Sequence, residues 1–214
     1  MDKQFYDNLR EKVRGFKENG GCHELSHTDR VYNMANLLLK YERADRDIVK
    51  AAALLHDIAR MKEERGEIEC HAEEGAKMAE KILNKSDFPR KKIEGVCYAI
   101  RVHRYKNGLE AKTKEAQILQ DADRLDALGA ICIARIFAYG GKKDRVIYEP
   151  SIKPRKVYSD SSVETTSFNH FYEKILKIKP ETFNTKTARK IAQHRYKFVE
   201  GFVKEFLEEC EGRK

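Results

Sequence analysis

Apolar residues recur along almost the whole chain at steps of three and four, and strand-like alternation is nearly absent, so packed helices are the expected architecture. Phe5, Leu9, Val13 and Phe16 set the pattern for a first helix that runs to the Asn19-Gly20-Gly21 break. A second helix starts near Ser26, a residue suited to capping, and carries Val31, Met34, Ala35 and Leu38 on one face. A third covers 45–59 with Ile48, Ala51, Ala52 and Leu55 inward, and the charged run 60–69 reads as a loop. Helices resume over 71–83 and 90–103, and Asn107-Gly108 marks a turn. The segment 114–138 is apolar on much of its surface, which predicts a central buried helix ended by Gly140-Gly141. Residues 142–160 hold two of the four prolines and little periodicity, as a functional loop or a partly disordered segment would. Helices over 163–178 and 186–209 follow, separated by Pro180. The expectation is an all-α protein: a helical core over 1–140, a basic loop over 141–162, and C-terminal helices over 163–214 packed on the same domain.

A chain of 214 residues can bury one real core with a small helical appendage. Its longest apolar stretches, such as Ala51-Ala52-Ala53-Leu54-Leu55, are far too short to span a bilayer. Residues 1–5 show no apolar run of a secretory leader, so a cytoplasmic location and no membrane partner are expected. The five cysteines, Cys22, Cys70, Cys97, Cys132 and Cys210, are scattered and form no Cys-x-x-Cys pair, which argues for reduced thiols over a zinc knuckle or disulfide framework. The net charge of +8 gathers in two stretches, one around Arg90-Lys91-Lys92, Arg101, Arg104 and Lys106, the other from Lys142 to Lys156. Such an excess suits a small phosphorylated substrate as well as nucleic acid. Nucleic acid ranks lower because no aromatic-interleaved basic motif or DNA-reading module accompanies the charge.

The histidines and aspartates are placed less evenly. His23 and His27 lie four apart at the start of the second helix, His56-Asp57 ends an apolar helix, and Asp121, Asp123 and Asp126 interrupt the apolar central segment. Neighbours on a helix point about 100° apart, so His56 and Asp57 reach one ion only if it lies off the helix end and between them. Adding His27 and an aspartate of the central segment gives two nitrogens and two hard oxygens. That set suits Mn²⁺, Fe²⁺, Co²⁺, Ni²⁺ or Zn²⁺ with positions left for water and a phosphoryl oxygen. Asp123 shares a face with Leu119, Ala127 and Ala130, roughly also with Asp126, while Asp121 points about 200° away from it. The residues alone leave two readings open: a metal site, or a His-Asp doublet at a helix end beside carboxylates satisfied by core hydrogen bonds.

The ordered set His27, His56-Asp57 and Asp123 resembles the HD-domain superfamily of metal-dependent phosphohydrolases. The likeness extends to His23-x-x-x-His27-x-x-Arg30-Val31, to Ala52-Ala53-Leu54-Leu55-His56-Asp57-Ile58, to His71-Ala72-Glu73-x-Gly75-Ala76, and to the run from Leu119 to Ala130 that contains Asp-Ala-Asp-Arg-Leu-Asp-Ala. His170-Phe171-Tyr172-Glu173-Lys174 near the end is similar as well, so the resemblance covers nearly the whole chain. It implies a helical fold with a divalent transition metal, Mn²⁺ first, held by His27, His56, Asp57 and Asp123, with Asp123 rather than Asp121 as the ligand. It also implies hydrolysis of a phosphate ester or anhydride, in the most similar subgroup conversion of nucleoside triphosphates to monophosphate and pyrophosphate. Two departures stand out. Glu24 follows His23 where similar sequences often have Asp, and Arg60 and Met61 occupy positions where some HD nucleotidases carry an acidic residue.

Further roles follow as alternatives. Asp57 is the ligand on which catalysis depends, and Asp126 is a candidate for general base or water positioning, with a core hydrogen bond as the other reading. Arg30, one turn after His27, is a candidate for phosphate binding or a surface ion pair. His71 and His103 are candidates for substrate contact. Extra histidines at comparable places bind a second metal in some HD proteins, but one metal is the expectation here. His23 is either a substrate contact or a partner of a ligand. His170 and His194 read as structural, and Phe168, Phe171, Tyr172, Phe198, Phe202 and Phe206 as core or a homodimer surface. The basic loop is a candidate lid over a polyanion or a solvated loop. A metal-containing nucleotide-binding regulatory module and an HD-type nuclease are the rival functions.

Overall fold

The computed structural model describes residues 1–16, 25–156 and 165–213, apart from the side chains of Leu25 and Lys106. Helices account for its regular structure, and no strand occurs among the described residues. The chain folds as two compact units, Met1–Arg124 and Leu125–Lys214.

In the first unit, α1 (Lys3–Arg14) is opened by Asp2, whose carboxylate accepts from the Phe5 amide. It is followed by α2 (Leu25–Leu38), α3 (Arg46–Leu55), the short α4 (Arg60–Glu64), α5 (His71–Asn84) and α6 (Arg90–Val102). Asp45 caps α3 by accepting from the amides of Asp47 and Ile48, and Lys92 Nζ joins it at 3.0 Å. The middle of this unit is the α3 run Ala51-Ala52-Ala53-Leu54-Leu55, buried on every side between α2 and α6. A short helix made of small and branched apolar residues all round can only be a buried one. Gly95 on α6 permits the close approach to α3, since a Cβ there would stand 2.8 Å from Ile48 Cδ1. Three features differ from the sequence expectation. Helix α2 already includes Ser26, whose Oγ accepts from Arg30 Nη1 at 2.9 Å. Helix α3 stops at Leu55, and His56 to Ala59 form successive turns. The charged run after it contains α4, where the sequence predicts a loop.

The helix α7 (Lys114–Asp126) begins in the first unit. The expected single helix over 114–138 is instead two, because Gly129 takes φ +87°, a left-handed value that glycine adopts without penalty, and caps α8 (Ala130–Lys142). In the second unit α9 (Asn169–Glu173) and two 3-10 turns, Ile175–Lys177 and Pro180–Thr182, replace the long helix expected over 163–178. The last helix, α10 (Lys186–Cys210), is capped by Thr185 Oγ1. Phe137, Tyr148, Phe168, Phe171, Phe202 and Phe206 form one aromatic cluster, with Phe168 stacked on Phe206 at 4.4 Å between centroids. Phe168 and Phe171 are core residues, while Phe198 is 52% exposed and contributes nothing to that cluster. The described part of the basic loop is tied within this unit. Ser167 and Phe168 amides donate to the carbonyls of Val146 and Ile147, and Arg155 pairs with the buried Glu173 at 2.8 Å. No helix among the described residues is long and apolar enough to cross a membrane.

Candidate metal centre

Five elements of the first unit deliver side chains to one buried point. Helix α2 supplies His27 from its first turn, and the turn after α3 supplies His56 and Asp57. His71 is the first residue of α5, and His103 caps the end of α6. Asp123 comes from α7. His27, His56, Asp57, His71 and His103 are each 4% exposed or less, whereas the Asp123 side chain is 27% exposed, so the cluster opens on the Asp123 side.

The donor atoms of His27, His56 and Asp57 all lie within 4.8 Å of one another, and Asp123 joins them through His27. His27 Nε2 stands 3.4 Å from His56 Nε2, 3.7 Å from Asp57 Oδ2 and 3.4 Å from Asp123 Oδ1, and His56 Nε2 stands 3.8 Å from Asp57 Oδ2. Donors about 2.1 Å from a common ion are about 3.0–3.4 Å apart, so this set needs only small closure to hold one. A second convergence shares the other oxygen of the same carboxylate. Asp57 Oδ1 lies 3.1 Å from His71 Nε2 and 3.8 Å from His103 Nε2, which are themselves 3.4 Å apart.

Hydrogen bonds on the far side of the rings fix the nitrogens that point inward. His56 Nδ1 meets the Ala53 carbonyl at 2.9 Å and His103 Nδ1 meets the Ile100 carbonyl at 2.6 Å. A carbonyl can only accept, so Nδ1 carries the proton in both, and each Nε2 lone pair faces the cluster. On His71 the Glu63 carboxylate takes that place, and Arg104 Nη1 holds Glu63 in turn at 2.9 Å. Burial pushes the His56 imidazole down to about 4, with Asp57 opposing, and burial likewise lowers His103. Burial works against the charge on Asp57 and Asp123, but the surrounding imidazoles outweigh it and hold both well below the usual carboxylate range. The His56 and His103 imidazoles, kept neutral by burial, beside the ionised Asp57 and Asp123 are the donor set of a divalent transition metal.

The structure therefore brings together His27, His56, Asp57 and Asp123, and with them His71 and His103. Arg30 lies on α2 with its guanidinium on Ser26. Asp126 falls in the second unit, where Arg135 Nη1 bonds its Oδ2 at 2.5 Å. His23 lies outside the described residues. The sequence does not single out Glu63, marks Arg60 only as a departure from the family pattern, and marks Arg104 only as part of a basic stretch. Arg60 Nη1 stands 3.4 Å from His71 Nδ1, and Asp57 and Glu64 raise its pKa against the effect of burial. Glu63 is marked in the sequence only by its place in a charged run, which many surface loops share.

The HD domain profile matches residues 25–128. YpgQ of Bacillus subtilis (strain 168) is 30% identical over 198 residues, 89% of this chain and 85% of that protein. The structure of an HD-superfamily hydrolase from Bacillus thuringiensis is 34% identical with a TM-score of 0.77, over 98% of both chains. YpgQ has also been solved in complex with ADP, and that structure is similar at TM-score 0.71 and 26% identity over 97% of this chain and 95% of that one. By profile, relatives and fold together, the chain belongs to the HD-domain superfamily and is one of its metal-dependent hydrolases.

Proposed function

We propose that the chain hydrolyses phosphate anhydrides of nucleotides, converting a nucleoside or deoxynucleoside triphosphate to the monophosphate and pyrophosphate with Mn²⁺ as the metal. The observation that carries this reading is the convergence of His27, His56, Asp57 and Asp123 with only Asp123 part-open, a closed ligand cage with one accessible side. The ADP complex of the similar YpgQ supports a nucleotide as the ligand class. A divalent cation held there supplies Lewis-acid activation of water and of the attacked phosphoryl group. The protein's own part is to present deprotonated donors, to exclude bulk water with the α3 core, and to keep cationic groups near the developing charge. Arg60 and Arg104 flank His71 and Glu63 on one side, and Arg30 follows His27 by one turn on the other. For Asp126 the core hydrogen-bond reading is preferred, because Arg135 engages its carboxylate within the second unit.

A second reading concerns His71 and His103. As substrate contacts they would need to be reachable, yet both are buried with their Nε2 atoms aimed at Asp57 Oδ1. That geometry favours a second ion bridged by Asp57.

The test is hydrolysis of a nucleotide panel by metal-stripped protein with Mn²⁺, Co²⁺, Ni²⁺ or Mg²⁺ restored, separating phosphate from pyrophosphate. Pyrophosphate released in step with monophosphate is the expected result. Silence with every ion, on folded and metal-bound protein, would turn the reading to a regulatory nucleotide-binding module.

A further inference from the structure

We infer that Tyr105 is the platform on which the base of the nucleotide stacks. The inference rests on the nucleotide reading above and assigns a specificity-determining residue to it. Helix α6 ends at Val102 with His103 as its cap, and the chain then makes one 3-10 turn, Tyr105–Asn107, closed by Gly108 at φ +68°. This turn places a tyrosine that is 52% exposed two residues from a buried member of the donor cluster. Its Cα is therefore no more than about 7.6 Å from that of His103, a separation a nucleotide can bridge between its phosphates and its base.

The ring is not loose. The Arg124 guanidinium carbon lies 3.7 Å from the ring centroid, and Arg124 is only 8% exposed. Both partners of this stack are anchored to the donor cluster. Arg124 follows Asp123 on α7, and Arg104, the neighbour of Tyr105, bonds Glu63, which bonds His71. A ring with a cation on one face and half its surface open to water is an ordered aromatic surface two residues from a member of the donor cluster. Stacking on such a surface is tolerant of base identity, since every base has a π-face, and Arg on the opposite face adds its own attraction. The fit is to an aromatic base rather than to a bare polyphosphate, because a polyphosphate gains nothing from a ring face.

The test is calorimetric binding of ADP and of pyrophosphate to the full chain with Mn²⁺, for wild type, Tyr105→Ala and Tyr105→Phe. Tyr105 is exposed, so neither substitution threatens the core. The expected result is tighter binding of ADP than of pyrophosphate by wild type, and a fall of roughly tenfold or more in that preference in Tyr105→Ala. Tyr105→Phe, which keeps the ring and loses only the hydroxyl, should retain most of the preference. Equal preference in wild type and Tyr105→Ala would overturn the platform and leave the nucleotide reading standing. Wild type that does not bind ADP, or binds it no better than pyrophosphate, would overturn both.

Discussion

Asp57 Oδ1 stands 3.1 Å from His71 Nε2, while its other oxygen faces His27 and His56, so a single buried carboxylate joins two groups of imidazoles. No other residue of the cluster has this double reach. Asp57→Asn, nearly the same in size, should therefore lose metal from both groups at once. Because loss of a hydrogen-bonding partner of a ligand alone typically costs 10–100-fold, loss of this ligand should cost more than about 100-fold in hydrolysis. Metal content by elemental analysis and turnover on the same preparation check this, with helical circular dichroism showing that the fold is kept.

His103 separates the two readings of the second convergence. If His71 and His103 hold an ion with Asp57, wild type should carry about two ions per chain and His103→Ala about one. The first set, His27, His56 and Asp57 with Asp123 beside His27, does not include His103, so its ion should stay. An unchanged metal content with a raised KM would instead return His103 to the role of substrate contact.

Glu63 reaches the site only through His71, whose Nδ1 it bonds while Arg104 steadies it. Glu63→Gln keeps the length of the side chain but removes the charge that orients the ring. The expected loss is about 10–100-fold in affinity for the ion at His71, with less effect on the ion at His27 and His56. A metal titration that resolves two affinities reads this directly, and restoring activity with excess Mn²⁺ would distinguish it from general unfolding.

Those residues also show what the sequence could and could not tell. The all-helical architecture was legible because an apolar stripe at a 3.6-residue period has few alternatives, and α5, α6 and α10 fall close to the expected spans. His27, His56, Asp57 and Asp123 could be grouped because their order and local contexts match a known pattern. Glu63 could not, since it sits among Arg60, Lys62, Glu64 and Arg65, and only the turn from α3 into α4 selects one carboxylate of that run to face His71. The break between α7 and α8 was missed because the apolar pattern continues across Gly129, and periodicity carries no information about a single left-handed residue. Short elements such as α9 depend on what they pack against more than on local preference.

A pH dependence is expected from a carboxylate of the second unit. Burial disfavours the charge on Glu173, but hydrogen bonds from the Arg155 side chain and amide and from Thr165 more than offset it, bringing its pKa from 4.5 to about 2. The unfolded chain therefore takes up a proton at this residue before the folded chain does, and stability falls as protons bind. The stabilisation from this carboxylate is complete above pH 4.5 and is lost progressively as pH falls toward about 2. Glu173→Gln removes the charge while leaving an acceptor for Thr165, and it strands the Arg155 guanidinium, which is 24% exposed. At neutral pH that should cost about 2 kcal/mol, below the range for a fully buried pair because water still reaches the arginine. Denaturant melts of wild type and Glu173→Gln across pH 3 to 7 should show two curves that converge on acidification. Parallel curves would mean that the pair contributes by packing and not by charge.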